Sequence, residues 1–301
     1  MNSISVQNIK RNYGKVEALK GLSFEVDKGE IFGIIGPDGA GKTTLFRILT
    51  TLLLADSGTA SIDGSDVIKE YKEIRRKVGY MPGKFSLYTD LSVEENLKVF
   101  ATLFNTTIEE NYHLIKDIYQ QIEPFKKRKA GALSGGMKQK LALCCALIHE
   151  PAVLFLDEPT TGVDPVSRKE LWAMLKKLKS EGITILVSTP YMDEASLCDR
   201  IALIQDGAFM KIDTPENIVD AYTHTLWSVR SDNMSKLLKD LRENTEIMSS
   251  FAFGNNHHIT VKKLSEDELE SYLVEKGHSA IEIHPIKASI EDCFMDLSKI
   301  S

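Results

Sequence analysis

Residues 30–44 read EIFGIIGPDGAGKTT, an apolar strand running into a glycine-rich loop and then into a helix that opens near Lys42. Gly36, Pro37, Asp38, Gly39, Ala40, Gly41, Lys42 and Thr43 fit the spacing in which glycines let backbone N–H groups converge on phosphate oxygens at a helix N-terminus. In such a loop Lys42 is expected to reach the terminal phosphates and the Thr43 hydroxyl to ligate Mg²⁺. The helix that follows carries Leu45, Ile48, Leu49 and Leu52 at helical spacing, so both flanks the loop requires are present. The chain is read as a nucleotide-driven machine whose class depends on the surrounding motifs.

Composition narrows that class. With 301 residues the chain has room for one large domain, or for one with a smaller companion. Its 37 Lys and Arg against 43 Asp and Glu give a formal charge of −6, which offers no sign of a nucleic-acid surface. The one basic run, Lys126-Lys127-Arg128-Lys129, reads as a solvated face. Cys144, Cys145, Cys198 and Cys293 form no CxxC pair and imply a reduced, cytoplasmic setting. No apolar run approaches the ~20 residues of a membrane helix, and the polar start MNSISVQNIK does not read as a signal peptide. Any membrane contact is therefore expected to go through another chain.

Before the loop, Leu22, Phe24 and Val26 alternate, predicting short antiparallel strands over residues 4–26. Tyr13 lies among them and suits either stacking on an adenine ring or half-buried packing. Residues 58–64 read as a strand ending in a turn. From Ser92 the period lengthens to that of a helix. Ser92 and Glu95 form a capping box ahead of Val93, Leu97, Phe100, Ala101 and Phe104, and Thr107 with Glu110 starts a second helix on Tyr112, Ile115, Tyr119 and Ile122. A helical insertion thus separates the phosphate loop from the rest of the site.

Ser134, Gly135 and Gly136 then open a helix carrying Leu141, Cys144, Leu147 and Ile148, a second candidate anion site at a helix N-terminus. Residues 153–156 form a fully apolar strand that ends in Asp157 and Glu158. Asp157 suits a Mg²⁺ shell and Glu158 a general base for water, with a structural salt bridge as the alternative for one of them. After the turn 161–165, which contains Asp164, come a helix through Leu171, Met174, Leu175 and Leu178 and buried strands at 184–187 and 201–204. Such alternation points to a mostly parallel, doubly wound sheet with its ligand at the carboxyl ends of the strands. Beyond about residue 220 the pattern resets to strand 226–230, helix 234–241, strands 247–253 and 259–262, a helix capped by Ser265 and Glu268, strand 280–284 and helix 290–297. That order suggests a small ferredoxin-like domain. Residues 255–258, NNHH, read as its hairpin turn.

The phosphate loop, helical insertion, LSGGM, DE-ended strand and GVDP, in this order, resemble the ATP-binding subunit of an ATP-binding cassette (ABC) transporter over residues 1–220. The segment YMPGKFSLYTDLSVEENL and the added C-terminal domain are similar to the drug-exporter branch whose membrane partners are of the ABC-2 type. The resemblance implies a RecA-like P-loop core with an antiparallel β-subdomain, a helical subdomain at about 84–150 and an accessory α+β domain at 221–301. It further implies Tyr13 as the adenine-stacking aromatic, residues Gly36 to Thr44 as Walker A, and Asp157 and Glu158 as Walker B. Ser134, Gly135 and Gly136 become the signature that acts in trans, and Asp164 belongs to the D-loop. ATP and Mg²⁺ are the implied ligands. Permease subunits and a second ATP-binding domain are the implied partners, at the inner face of the cell membrane.

Two positions depart from that pattern. Gly83 stands where the family places the Q-loop glutamine, and Pro190 where it places the switch histidine. Glycine supplies no side chain, and proline supplies neither a side-chain donor nor a backbone N–H. Thr189 as N-cap with Pro190 at the first helical position would explain how the second change is accommodated. A slow site is expected here, within a heterodimer whose partner is competent or else a homodimer. A regulatory ATP-binding switch and a soluble cassette protein are the competing readings.

Overall fold

The computed structural model describes residues 2–299. The chain forms two compact units, one ending at Pro215 and the other beginning at Glu216. The first opens on an antiparallel hairpin of β1 (Asn2–Tyr13) and β2 (Val16–Asp27), each twelve residues and so longer than the alternation at 22–26 alone suggests. Ile4, Val6 and Ile9 of β1 and Leu22, Phe24 and Val26 of β2 turn one face inward. β3 (Ile31–Ile35), buried at all five residues, delivers the phosphate loop to α1 (Lys42–Leu49). The helix stops short of Leu52, because Thr51 takes a φ of +63° and leaves Leu52 59% exposed beyond the last turn.

β4 (Ser57–Ile62) and β5 (Ser65–Asp66) complete a four-stranded sheet in the order β2-β1-β4-β5. After α2 (Tyr71–Lys77) and β6 (Val78–Met81) comes the helical insertion, with α3 (Val93–Leu103) and α4 (Tyr112–Tyr119). The Ser92–Glu95 capping box forms. Thr107 and Glu110 exchange their two hydrogen bonds as well, but the regular helix begins only at Tyr112, and Ile122 is buried beyond its end. α5 (Gly135–Leu147) leads into β7 (Val153–Asp157), α6 (Pro165–Ser180), β8 (Thr184–Thr189), β9 (Arg200–Gln205) and β10 (Ala208–Asp213).

The second sheet runs β10-β9-β3-β8-β7-β6, parallel throughout except for the β9–β10 hairpin. Between the two sheets lies a core containing Phe24, Phe32, Phe46 and Phe155, the last two edge-to-face at 6.1 Å. Each such ring contributes about 1.5–3 kcal/mol on burial. α7 (Pro215–Asp220) spans the boundary between the units.

The second unit contains β11 (Thr225–Arg230), α8 (Met234–Glu243), β12 (Ile247–Phe253), β13 (Asn256–Val261), α9 (Glu266–Glu275), β14 (Glu282–Pro285) and α10 (Ile290–Leu297). Its antiparallel order, β12-β13-β11-β14, is the ferredoxin-like arrangement. Val229, Leu237, Leu241, Ile259, Leu269 and Leu273 fill the core between this sheet and α8 and α9. The hairpin turn is narrower than residues 255–258. Only Gly254 and Asn255 turn, Gly254 with a φ of +54°, while His257 is a buried strand residue whose ring nitrogen lies 2.7 Å from the Met234 carbonyl.

Candidate nucleotide site

Sheet register assembles the site. β8 lies between β3 and β7, with Ile35 opposite Thr189 and Asp157 opposite Ser188. Three adjacent parallel strands therefore end level, and what leaves their carboxyl ends must converge. From β3 comes the phosphate loop, from β7 come Asp157 and Glu158, and between them β8 releases Pro190. On the far side of β7, Met81 of β6 pairs with Leu156, which brings Gly83 alongside. A Cβ built on Gly83 would stand 3.0 Å from the Asp157 carbonyl oxygen and 3.7 Å from the Glu158 Cβ. Gly83 thus borders the two carboxylates, and Pro190 leaves the strand that lies between them and the phosphate loop.

The loop is shaped by what its glycines avoid. A Cβ at Gly36 would lie 2.1 Å from the Ile204 carbonyl, and Gly41, at φ +103°, would put one 2.5 Å from the Ala18 carbonyl. Ala40 is buried, its N–H reaching the Pro37 carbonyl at 3.3 Å and its carbonyl accepting from the Gly207 N–H at 3.1 Å. Pro37, Asp38 and Gly39 are exposed at the tip. No side chain caps α1 at Gly41, so its first N–H groups face the loop opening. Lys42, 3% exposed, donates to the Gly36 and Pro37 carbonyls at 2.9 and 3.0 Å and lies 3.1 Å from Glu158 Oε1. An ammonium has three donors, and all three are engaged.

These groups face a cleft of about 700 Å³ lined by Gly39, Gly41, Lys42, Thr43, Thr44, Glu158 and Tyr13, together with Lys15, Lys20 and Asp206. Tyr13 is 46% exposed, with the Arg11 guanidinium 5.2 Å from its ring centroid. Of the two roles open to Tyr13 in the sequence, its exposure on the wall of the loop's own cleft favours a stacking platform. The volume falls in the ordinary range for cofactor pockets, and the open helix end with two lysines on the wall suits a polyphosphate.

Asp157 is 1% exposed, and one of its oxygens accepts from Ser188 Oγ at 2.7 Å. A carboxylate so buried needs further partners, and its remaining lone pairs suit a cation. Among the described residues no three His, Cys, Asp or Glu side chains cluster into a metal cage. Mg²⁺ held by one carboxylate, one hydroxyl such as that of Thr43 and phosphate oxygens requires none. Burial, followed by the nearby Asp157 charge, pushes the Tyr80 hydroxyl up to about 12, so it stays neutral beside the pair. Glu158 sits at φ +53°, a costly left-handed geometry for a side chain of this kind, and its N–H donates to both the carbonyl and Oγ of Ser188 at 3.0 Å.

Ser134 caps α5, accepting from the Met137 N–H at 3.4 Å. This end packs on the turn and first residues of α6 in its own chain, since a Cβ on Gly136 would meet Ser167 Oγ at 2.7 Å and one on Gly135 would lie 3.4 Å from the Gly162 carbonyl. Ser134, Gly135 and Gly136 do not line the cleft. Asp164 caps α6, and the Ser167 N–H, followed by the Ser167 side chain, holds its carboxyl below the usual range.

The helix expected to start at Pro190 does not. Thr189 remains in β8, its Oγ1 accepts from the Tyr191 N–H at 3.1 Å, and the short 3₁₀ segment Met192–Leu197 follows with Tyr191 at its N-cap position. Pro190 is instead a bend residue. Sequence reasoning also passed over Ser188, Glu194 and Asn96. Asn96, wholly buried, ties the loop before α3 by bonds to Tyr88, Leu91 and Ser92. Its lone amide within an apolar helical stripe was the available signal. The four cysteines are buried thiols, and residues 126–129 are exposed.

Comparison with known proteins agrees with this geometry. Residues 19–161 match the family model "ABC transporter". The probable multidrug ABC transporter ATP-binding protein YbhF of Escherichia coli is 39% identical over 93% of this chain, but the chain spans only 49% of that relative. The Nod factor export ATP-binding protein I of Burkholderia lata is 39% identical over 72% of this chain and 73% of its own length. Among solved structures, the ATP-binding cassette MJ0796, a dimer in a post-hydrolysis state bound to ADP and Pi, superposes with a TM-score of 0.63 at 27% identity, covering 70% of this chain and 98% of that one. On the strength of its level strand ends, open phosphate loop and these relatives, the chain belongs to the ATP-binding cassette family of transporter ATPases.

Proposed function

We propose that this chain is the ATP-binding subunit of an ABC-2 type exporter, and that its own Walker site hydrolyses ATP slowly. MgATP would lie in the cleft with adenine on Tyr13, phosphates at the α1 N-terminus and on Lys42, and Mg²⁺ held by Thr43 and Asp157. The metal, when bound, neutralises charge on the transferring phosphoryl group. Glu158 then orients water and accepts its proton. Ser134, Gly135 and Gly136, which stand away from the cleft of their own chain, are suited to completing the cleft of a second cassette arranged head to tail.

The observation that carries the slow-site reading is the surroundings of Glu158. A Cβ on Gly83 would stand 3.7 Å from the Glu158 Cβ, Pro190 follows the adjacent strand, and neither offers a side-chain donor, whereas loss of a single preorganised transition-state donor costs about 10²- to 10³-fold in rate. Binding rests on groups that are all present. A heterodimer with one competent site follows, with a homodimer as the alternative. Among the described residues no helix is long and apolar enough to cross a membrane, so separate permease subunits would supply the path, at the inner face of the cell membrane. Tagged chain extracted in mild detergent should bring down polytopic membrane proteins and a second cassette bearing Gln and His at the two positions. Recovery without any membrane protein would favour the regulatory or soluble readings instead.

A further inference from the structure

Behind the cleft, Glu194 is 2% exposed and bonded on both oxygens. Oε2 accepts from Thr160 Oγ1 at 3.0 Å and from Thr189 Oγ1 at 2.5 Å, while Oε1 accepts from Arg168 Nε at 3.1 Å and lies 2.9 Å from a second guanidinium nitrogen. Each partner belongs to a different part of the site. Thr160 lies two residues beyond Glu158. Thr189 ends β8, and its carbonyl accepts from the N–H of Gly36, the first residue of the phosphate loop, at 3.3 Å. Arg168 sits in the first turn of α6, whose N-cap is Asp164, and it also stacks on Tyr191 at 4.3 Å and pairs with Asp193.

We propose that Glu194 is a positioning residue that couples the end of the Walker B strand and the start of the phosphate loop to the D-loop turn, so that MgATP in the cleft is registered at Asp164. The inference rests on the reading of the cleft as a MgATP site. A buried carboxylate with four donors has little freedom to relax singly, so displacement of Thr160 or Thr189 must be taken up through Arg168. That guanidinium is the one arm that leaves the strand ends for the helix carrying Asp164. An inert buried staple would stabilise the unit equally with and without nucleotide, and this difference separates the two roles.

The test is amide hydrogen exchange across residues 160–168, with and without MgATP at a concentration that saturates each protein, for wild type and Glu194→Gln. The amide keeps the size and can still meet both threonines, but it removes the charge facing Arg168. Wild type should show about fivefold or greater nucleotide-dependent slowing in this turn, and the variant less than about twofold, with slowing at residues 39–44 retained in both. Equal slowing at 160–168 in both proteins, or none in wild type that binds MgATP, overturns the coupling. Should Glu194→Gln fail to fold, Thr160→Val removes one arm alone, and the same loss is expected; its retention overturns the proposal. Failure of wild type to bind MgATP in the accompanying titration would remove the nucleotide reading itself, a result distinct from any of these.

Discussion

Lys42 is fully engaged before any nucleotide arrives, and its third partner is Glu158, so incoming phosphates must compete with this carboxylate for the ammonium. Glu158→Gln removes the competition while keeping the shape. The pair is separated by 3.1 Å with side chains 3% and 21% exposed. At an effective dielectric of ~20, Coulomb attraction at that distance is about 5 kcal/mol. Desolvation offsets most of it, leaving a net contribution of about 1–2 kcal/mol, at the low end for a hydrogen bond to a charged group. The substitution also removes a negative charge from the neighbourhood of the γ-phosphate. MgATP affinity should therefore rise about 5- to 30-fold, while single-turnover hydrolysis falls by about 10²-fold with loss of the base. Fluorescent-nucleotide titration with quenched-flow hydrolysis measures both. An unchanged or weaker affinity would mean that Lys42 does not have to leave Glu158 to bind phosphate, and the competition argument would be wrong.

Gly41→Ala forces a Cβ to within 2.5 Å of the Ala18 carbonyl at a φ of +103°; a loss of about 3 kcal/mol is expected, read as a fall of about 6 °C or more in Tm, and a change under about 2 °C would contradict the steric account. Tyr13→Ala should weaken ATP binding about 5- to 10-fold through lost stacking with little effect on Tm; equal affinity would return Tyr13 to the packing role. His149 stacks on Phe104 at 3.7 Å, with Nε2 3.0 Å from the Val78 carbonyl and Nδ1 buried without a partner. A carbonyl can only accept, so Nε2 carries the proton and a second proton on Nδ1 would be stranded. Burial accordingly depresses the folded pKa below 6.5. The unfolded chain then binds more protons as pH falls past 6.5, and stability contributed above that value is lost below it. Chemical denaturation of wild type from pH 7.5 to 5.5 should show this loss, and His149→Gln should flatten it. An equal slope in the variant would assign the loss to other groups.

Much of the site was legible because its chemistry is local in sequence. The glycine spacing of residues 36–41, the apolar run ending in Asp157 and Glu158, and the Ser92 and Ser134 caps each depend on neighbours within a few positions. Boundaries that depend on a single backbone choice were not, and the left-handed turn at Thr51 stranded Leu52 outside a helix its spacing had fitted. Pro190 misled for a different reason. Its sequence suits a helix start, but Thr189 is already committed to β8 by its pairing with Ile35 and, through its hydroxyl, to Glu194. Glu194 itself was invisible because its partners lie 5, 26 and 34 positions away and meet only when β7, β8 and α6 pack. In the C-terminal unit the order of elements gave the topology, since few arrangements satisfy that alternation, whereas the exact turn residues needed Gly254 in the left-handed region.

The most direct test of the slow-site claim is ATP binding and steady-state hydrolysis by the chain alone, beside Pro190→His and the Gly83→Gln, Pro190→His double variant. The single variant guards against the tight 3.0 Å approach of a Cβ at position 83 to the Asp157 carbonyl. Wild type should bind MgATP and turn it over barely, with each restored donor raising the rate by about 10²-fold at similar affinity. Full hydrolysis by wild type, with no gain in either variant, would show that another group does the work of the absent histidine and glutamine and would contradict the account.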